Sequence, residues 1–291
     1  KMQQIKRKSL FRSRPAASEK RFSGKKVRFY CLLSLAALLV LIAAFGGVLA
    51  PQDPLAGDLS ASLQPPSAAH LCGTDKLGRD VFSRILAGAG SSFSLTFLMV
   101  LLTACIGTAI GLIAGFYGGA ADGFLARLTD IFLAFPSSVF AIAVAGILGA
   151  GVFNTVFALS LVWWTRYARL VRSAAMGLRE RDFVWQARFG GAGEVRILFR
   201  YILPEILPQV VTTAALDIED MMMALAGLSF LGLAAQPPAP EWGYMLYESR
   251  TYMQTAPWMM IFPGLALLIT VIVFNLLGDS VRDMLDPGVQ K

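Results

Sequence analysis

Histidine is almost absent from this sequence: His70 is the only one in 291 residues. That excludes an H-E-x-x-H metal helix, a His-rich metal site and a Ser/His/Asp nucleophile set. No G-x-x-x-x-G-K-S/T phosphate loop occurs, so the chain does not hydrolyse nucleotides by that route. Cysteine is scarce as well. Cys31 and Cys105 lie in apolar blocks and Cys72 lies in a loop, which implies no disulfide framework. Charge is the largest shortfall: 15% of residues are charged, against about a quarter in soluble domains. The chain reads as a non-enzyme, with no catalytic residues and no metal or cofactor of its own.

What is abundant is apolar surface. Hydrophobic residues make up 56% of the chain and the mean hydropathy is +0.60. They fall in blocks of roughly 20, the helical length that spans a bilayer core. Inside a membrane each block must satisfy its own backbone hydrogen bonds, which a helix does. The expected fold class is all-α, a polytopic membrane bundle of six transmembrane helices. The expected spans are Phe29–Ala50, Ser92–Gly115, Phe124–Gly149, Val152–Leu170, Pro204–Leu233 and Trp258–Leu277. The first reads as a retained anchor, because its leader and apolar core are both long for a cleaved signal peptide. Residues 1–28 form a basic tail and 29–288 the membrane domain, with polar loops at 51–90, 171–203 and 234–256. Pro136, Pro208 and Pro263 fall in or near spans and read as tolerated kinks. Trp242, Tyr244, Tyr252 and Trp258 read as interfacial anchors.

With six spans, both termini share one face of the membrane. That face holds 22 Lys/Arg and the other holds 4. The positive-inside rule then puts both termini and the 171–203 loop in the cytoplasm. The same pattern explains the net charge of +7 without a nucleic-acid partner. The partner that the composition demands is a lipid bilayer.

The 171–203 loop is amphipathic. It divides into two short helices around a Gly-rich break at Gly190-Gly191-Ala192-Gly193. Phe183, Val184, Ala187 and Arg188 share one helical face; Val195, Leu198, Phe199 and Ile202 share another. These faces either pack on their own bundle, lie in the lipid interface or dock into a soluble partner.

The loop resembles the coupling loop of binding-protein-dependent, ATP-driven import permeases. The family pattern is a Glu-Ala-Ala triplet, a Gly four or five residues on, then a basic residue, His, Ile, Leu and Pro. Here the triplet position reads Trp185-Gln186-Ala187, the Gly is Gly191 and the end is Arg200-Tyr201-Ile202-Leu203-Pro204, so the Glu and the His are missing. Three further segments carry the resemblance to the dipeptide, oligopeptide and nickel branch. They are Gly73-Thr74-Asp75-Lys76-Leu77-Gly78-Arg79-Asp80, then Phe230-Leu231-Gly232 with Pro240-Glu241-Trp242-Gly243, then Phe274-Asn275-Leu276-Leu277-Gly278-Asp279 with Asp283-Met284-Leu285-Asp286-Pro287. The resemblance covers 29–288 and is to the second permease of the pair.

It implies an ABC importer type I-like permease fold, a homologous permease partner, two ATPase subunits that carry ATP and Mg, and an extracytoplasmic substrate-binding protein. It also implies an ATPase-coupling role for Phe183, Val184, Ala187, Arg188, Gly191, Ile197, Arg200 and Pro204. In the outer loop, Asp75, Arg79 and Asp80 either meet the binding protein or form a self-contained salt-bridged turn. The Ala215–Phe230 stretch is similar to nickel-import permeases, with Leu225 where dipeptide permeases usually carry a Glu. Trp163, Trp164, Tyr167, Ala168 and Arg169 point the same way. Nickel or a metal chelate is the expected cargo, and a di- or oligopeptide the alternative. The alternative of another class is an ion-gradient transporter or a channel. No clear inverted repeat supports the first, and a channel needs no large amphipathic cytoplasmic loop.

Asp217, Glu219 and Asp220 fall near the middle of the fifth expected span. Ionisable groups at that depth are costly and usually face a water-filled path or a partner. Asp217 and Asp220 share a face that Met221 continues, which makes these three the candidate lining of a translocation path. Glu219 points elsewhere, towards the partner permease. A helix–helix polar contact and plain Met packing are the alternatives.

Overall fold

The computed structural model describes residues 15–285. Residues 1–14 of the basic tail, and Asp286 and Pro287 of the C-terminal motif, lie outside the described residues. Ten helices carry the fold: α1 (Pro15–Leu49), α2 (Val81–Tyr117), α3 (Gly119–Leu133), α4 (Ser137–Leu148), α5 (Val152–Arg179), α6 (Asp182–Phe189), α7 (Glu194–Ile197), α8 (Leu203–Phe230), α9 (Trp242–Ser249) and α10 (Trp258–Leu285). A π-helical turn, Leu198–Ile202, joins α7 to α8. Among the described residues there is no strand, only an isolated bridge between Thr74 and Asp80.

Among the described residues, three helical stretches are long and apolar enough to cross a bilayer: Lys25–Leu49, Val81–Tyr117 and Trp258–Met284. The expected span 124–149 is not one straight helix. It breaks into α3 and α4, bent by 86°, with Pro136 at the start of α4. Proline has no N–H to donate and disfavours helix at the residue before it, so the ladder stops there. Counted as one, the bent pair gives a fourth candidate span. By contrast, Pro208 and Pro263 lie inside α8 and α10. α5 and α8 fall short by composition, because arginines interrupt the first and carboxylates the second.

The helices pack most closely where side chains are smallest. Gly107, Gly111 and Gly115 recur every fourth residue on α2 and face α5. A Cβ on each would lie 2.4 Å from the Trp164 carbonyl oxygen, 2.4 Å from that of Ala168 and 2.5 Å from that of Arg172. Those three carbonyls are also four residues apart, so two matching ridges meet backbone to backbone. This approach locks α5 on α2 and so fixes every side chain that α5 presents elsewhere.

On the opposite side, α9 is tied to the start of α2. Glu241 is buried and caps α9, accepting from Gly243 N (2.9 Å) and Tyr244 N (2.8 Å). Ser92 donates to the same carboxylate (3.3 Å) and accepts from Trp242 N (3.1 Å). Trp242 donates through Nε1 to the Ile85 carbonyl (3.0 Å) and stacks edge-on against Phe93. Trp242 and Tyr244 are buried, so neither is an interfacial anchor. Each ring packs inside the protein because the Glu241 cap turns the chain inward at that point. Trp258 is held by an Nε1 bond to the Thr74 carbonyl (3.1 Å). In the adjoining 51–80 loop, burial and the neighbouring Asp80 carboxylate push the Cys72 thiol up to about 11, which keeps it protonated and inert.

Candidate functional site

The amphipathic loop is anchored on one side and bare on the other. Val184, Ile197, Leu198 and Ile202 are buried in the same cluster as Val171 and Ala175 of α5 and Ile206 of α8. The loop turns at a Schellman cap. Gly191 N bonds the Arg188 carbonyl (3.0 Å) and Ala192 N bonds the Ala187 carbonyl (3.0 Å). Gly191 takes φ +80°, which only glycine adopts without strain. Arg188 then joins the two halves: it pairs with Glu194 (3.1 Å) and lies over the rings of Trp185 (5.2 Å) and Phe116 (5.9 Å). Phe183, Trp185, Phe189, Val195 and Phe199 remain exposed, Phe189 by 87%. Arg200 and Pro204 are exposed and Ala187 is half-buried. Val184 and Ile197, two of the loop residues singled out above, are fully buried and hold the loop to the bundle. Trp185 and Phe189 were missed, because a short helix with apolar residues on two sides does not declare which side packs inward.

A second site lies where α5 crosses α8 and the bent pair α3–α4. Arg166 on α5 reaches Asp217 Oδ1 (2.5 Å) and Asp220 Oδ2 (3.6 Å) on α8. Arg169 pairs with Asp130 (3.3 Å) and Arg172 forks onto Asp122, both on α3. Asp217 is fully buried with Tyr167 beside it, whereas Asp220 is exposed. Two cavities of about 630 and 550 Å³ adjoin here and share Ser137 of α4 and Trp163 of α5 as walls. Of the expected path residues, Asp220 alone is open to solvent. Met221 is fully buried, with Thr103 Oγ1 4.0 Å from its sulfur, so it is core. Asp217 is the buried half of an ion pair. Glu219 accepts from Asn275 of α10 (2.6 Å), an internal helix–helix bond.

The outer cluster is a third place that the sequence singled out. Gly78 sits at φ +72°, where a Cβ would lie 1.7 Å from the Asp58 carbonyl oxygen. The tight turn brings Arg79 Nε to Asp75 Oδ2 (2.6 Å). Arg84 joins from α2 and Glu248 from α9: Glu248 meets Arg79 (3.4 Å), Arg84 (3.4 Å) and Lys76 (3.1 Å). Asp80 caps α2 through Ser83 N (2.8 Å) and pairs with His70 (3.0 Å). Asp75, Arg79 and Asp80 are all buried. They form an internal network that clamps the 51–80 loop to α9, the geometry of the self-contained salt-bridged turn. Among the described residues no group of three or more His, Cys, Asp or Glu could hold a metal ion.

A family profile described as "Binding-protein-dependent transport system inner membrane component" matches residues 107–291. The chain belongs to this family. The permease is 44% identical over 255 residues to the nickel transport system permease protein NikC of Escherichia coli K12, covering 88% of this chain and 92% of the relative. It is 43% identical to a dipeptide transport system permease protein DppC of Alkalihalophilus pseudofirmus, over 86% of this chain and 83% of that one. It is 45% identical to a glutathione transport system permease protein GsiD of Pectobacterium atrosepticum, over 87% and 84%. Its fold matches an inward-facing structure of the MetNI methionine ABC transporter with a TM-score of 0.53 at 21% identity, over 69% of the permease and 96% of that chain.

Proposed function

We propose that this permease is one of two homologous membrane subunits of an ATP-driven, binding-protein-dependent importer of type I-like fold. In this reading it spans the inner membrane six times with both termini in the cytoplasm. α5 and α8 complete the count. Their charged faces are covered by each other, by α3 and by the partner permease, and their apolar faces meet lipid. The single observation that carries the reading is the split loop. Val184, Ile197 and Ile202 are buried in the bundle, while Phe183, Trp185, Phe189, Val195 and Phe199 are exposed on the same segment. ATP and Mg belong to the two ATPase subunits that this face docks on.

The cargo proposed is nickel or a metal chelate, supported by the Ala215–Phe230 resemblance and by the match to a nickel permease. A peptide cargo is the second reading, favoured by dipeptide and glutathione permeases that match at similar identity.

Phe189→Asp tests the docking face. Phe189 is exposed, so the variant is expected to fold and assemble with its permease partner. Its affinity for the ATPase should fall at least about tenfold, the loss expected for a buried aromatic anchor, and transport should fall with it. Unchanged ATPase binding, measured by titration in detergent, would remove this face from the interface.

A further inference from the structure

We propose that the cavity between α4, α5 and α8 is a carboxylate-binding station, with Arg166 and Arg169 as its cationic wall. This rests on the permease reading above and adds a requirement on cargo chemistry. The cavity of about 630 Å³ is lined by Ser137, Trp163, Thr165, Arg166, Arg169 and Thr213 among others. It therefore offers two guanidinium groups and the Ser137 hydroxyl, the Thr165 and Thr213 hydroxyls being already donated to the Val162 and Gln209 carbonyls, and no carboxylate is among its lining residues. Arg166 and Arg169 are 50% and 55% exposed.

Their partners hold them unequally. Both ion pairs of Arg166 use Nη1, and the Asp217 end of the first is fully buried. Arg169 makes one contact, to an Asp130 that is 68% exposed. An exposed pair of this kind is weak and exchangeable. An incoming carboxylate can take the place of Asp130 on Arg169 and gain the planar two-bond geometry that a guanidinium favours. The first turn of α4 adds to this. Pro136 supplies no side-chain cap, so the first-turn N–H groups of α4, from Ser137 on, have no side-chain acceptor. The station suits a cargo with a free carboxylate, either a metal held by a carboxylate chelator or a peptide. It does not suit a bare hydrated divalent cation.

The test uses the complete complex in proteoliposomes with its ATPases and binding protein. Three cargoes are offered separately: radiolabelled nickel citrate, radiolabelled dialanine, and nickel in a non-coordinating buffer. Arg169→Gln should raise KM for the carboxylate-bearing cargo about tenfold, and Arg169→Lys should recover part of that. Asp130→Asn frees Arg169 and should lower KM. A merely structural ion pair predicts the same direction of change for both partners, so opposite signs are the mark of the station. Nickel citrate or dialanine, whichever is carried, identifies the source of the carboxylate. Equal or absent shifts in KM for a cargo that is still imported overturn the station and leave the permease reading standing. So does import of nickel alone, unaffected by either substitution. Sustained uptake of a cargo by the permease pair with the ATPases omitted overturns the permease reading and the station with it.

Discussion

Gly111→Val should prevent the bundle from forming. Even a methyl group at Gly111 would lie 2.4 Å from the Ala168 carbonyl oxygen, and the obstacle is backbone that cannot rotate away. Relief would need α2 and α5 to separate, which would also break the Gly107 and Gly115 approaches on the same ridge. Overpacking a tight core costs about 1–3 kcal/mol and occasionally more. A β-branched side chain against two helix backbones belongs at or above about 3 kcal/mol. The expected result is loss of monodisperse protein in mild detergent, or a large fall in the denaturation midpoint where protein survives. Gly146→Ala is the matched control. A Cβ there meets nothing within 4 Å, and alanine in a helix interior stabilises by about 0.5–1 kcal/mol over glycine. A wild-type midpoint for Gly111→Val would show that the helices do not meet there.

Glu248→Ala should be the next most damaging change. It leaves Arg79, Arg84 and Lys76 around the single carboxylate Asp75. The Arg79 and Arg84 side chains are only 4% and 2% exposed, so water cannot replace the lost partner. Breaking a buried ion pair from one side costs about 3–5 kcal/mol, mainly through the charge left behind. The clamp between the outer loops should open, seen as faster proteolysis within 51–80 and a lower melting temperature. The double variant Glu248→Ala with Arg84→Met should be less damaged than Glu248→Ala alone, because it also removes a stranded charge. If the double variant is the worse, the network is not the source of the loss.

Much of this architecture is legible in the sequence for identifiable reasons. Apolar block length marks α1, α2 and α10. Gly191 marks the turn between α6 and α7, because only glycine closes that cap freely. Pro136 flags an irregularity, but its consequence, an 86° bend, depends on what α4 packs against. The faces are harder. In water an apolar stripe points inward, but in a bilayer both the core side and the lipid side are apolar. That is why Met221 could be read as path lining when it is core, and why Trp242 and Tyr244 could be read as anchors when they are buried. Glu248 could not be found beside Arg79 from spacing, since 169 residues separate them. The Gly107, Gly111, Gly115 ladder was there to be read as a small-residue repeat, and its partner carbonyls on α5 complete the pattern.

The opposite charges of Arg166, Asp217 and Asp220 also temper the simple picture of an acidic path. Two carboxylates on one face of α8 would favour a cation, but Arg166 neutralises the buried one. The cavity beside that pair is lined by Arg166 and Arg169 and by no carboxylate, which suits a carboxylate-bearing cargo better than a free cation.

The central claim is that this chain moves cargo only when a separate ATPase drives its docking loop. The most direct measurement is cargo uptake into proteoliposomes, with and without the ATPase subunits, under the same imposed ion gradients. The account predicts uptake that requires ATP, the ATPases and the binding protein together, and none from the permease pair alone. Sustained gradient-driven uptake by the permeases without the ATPases would contradict it.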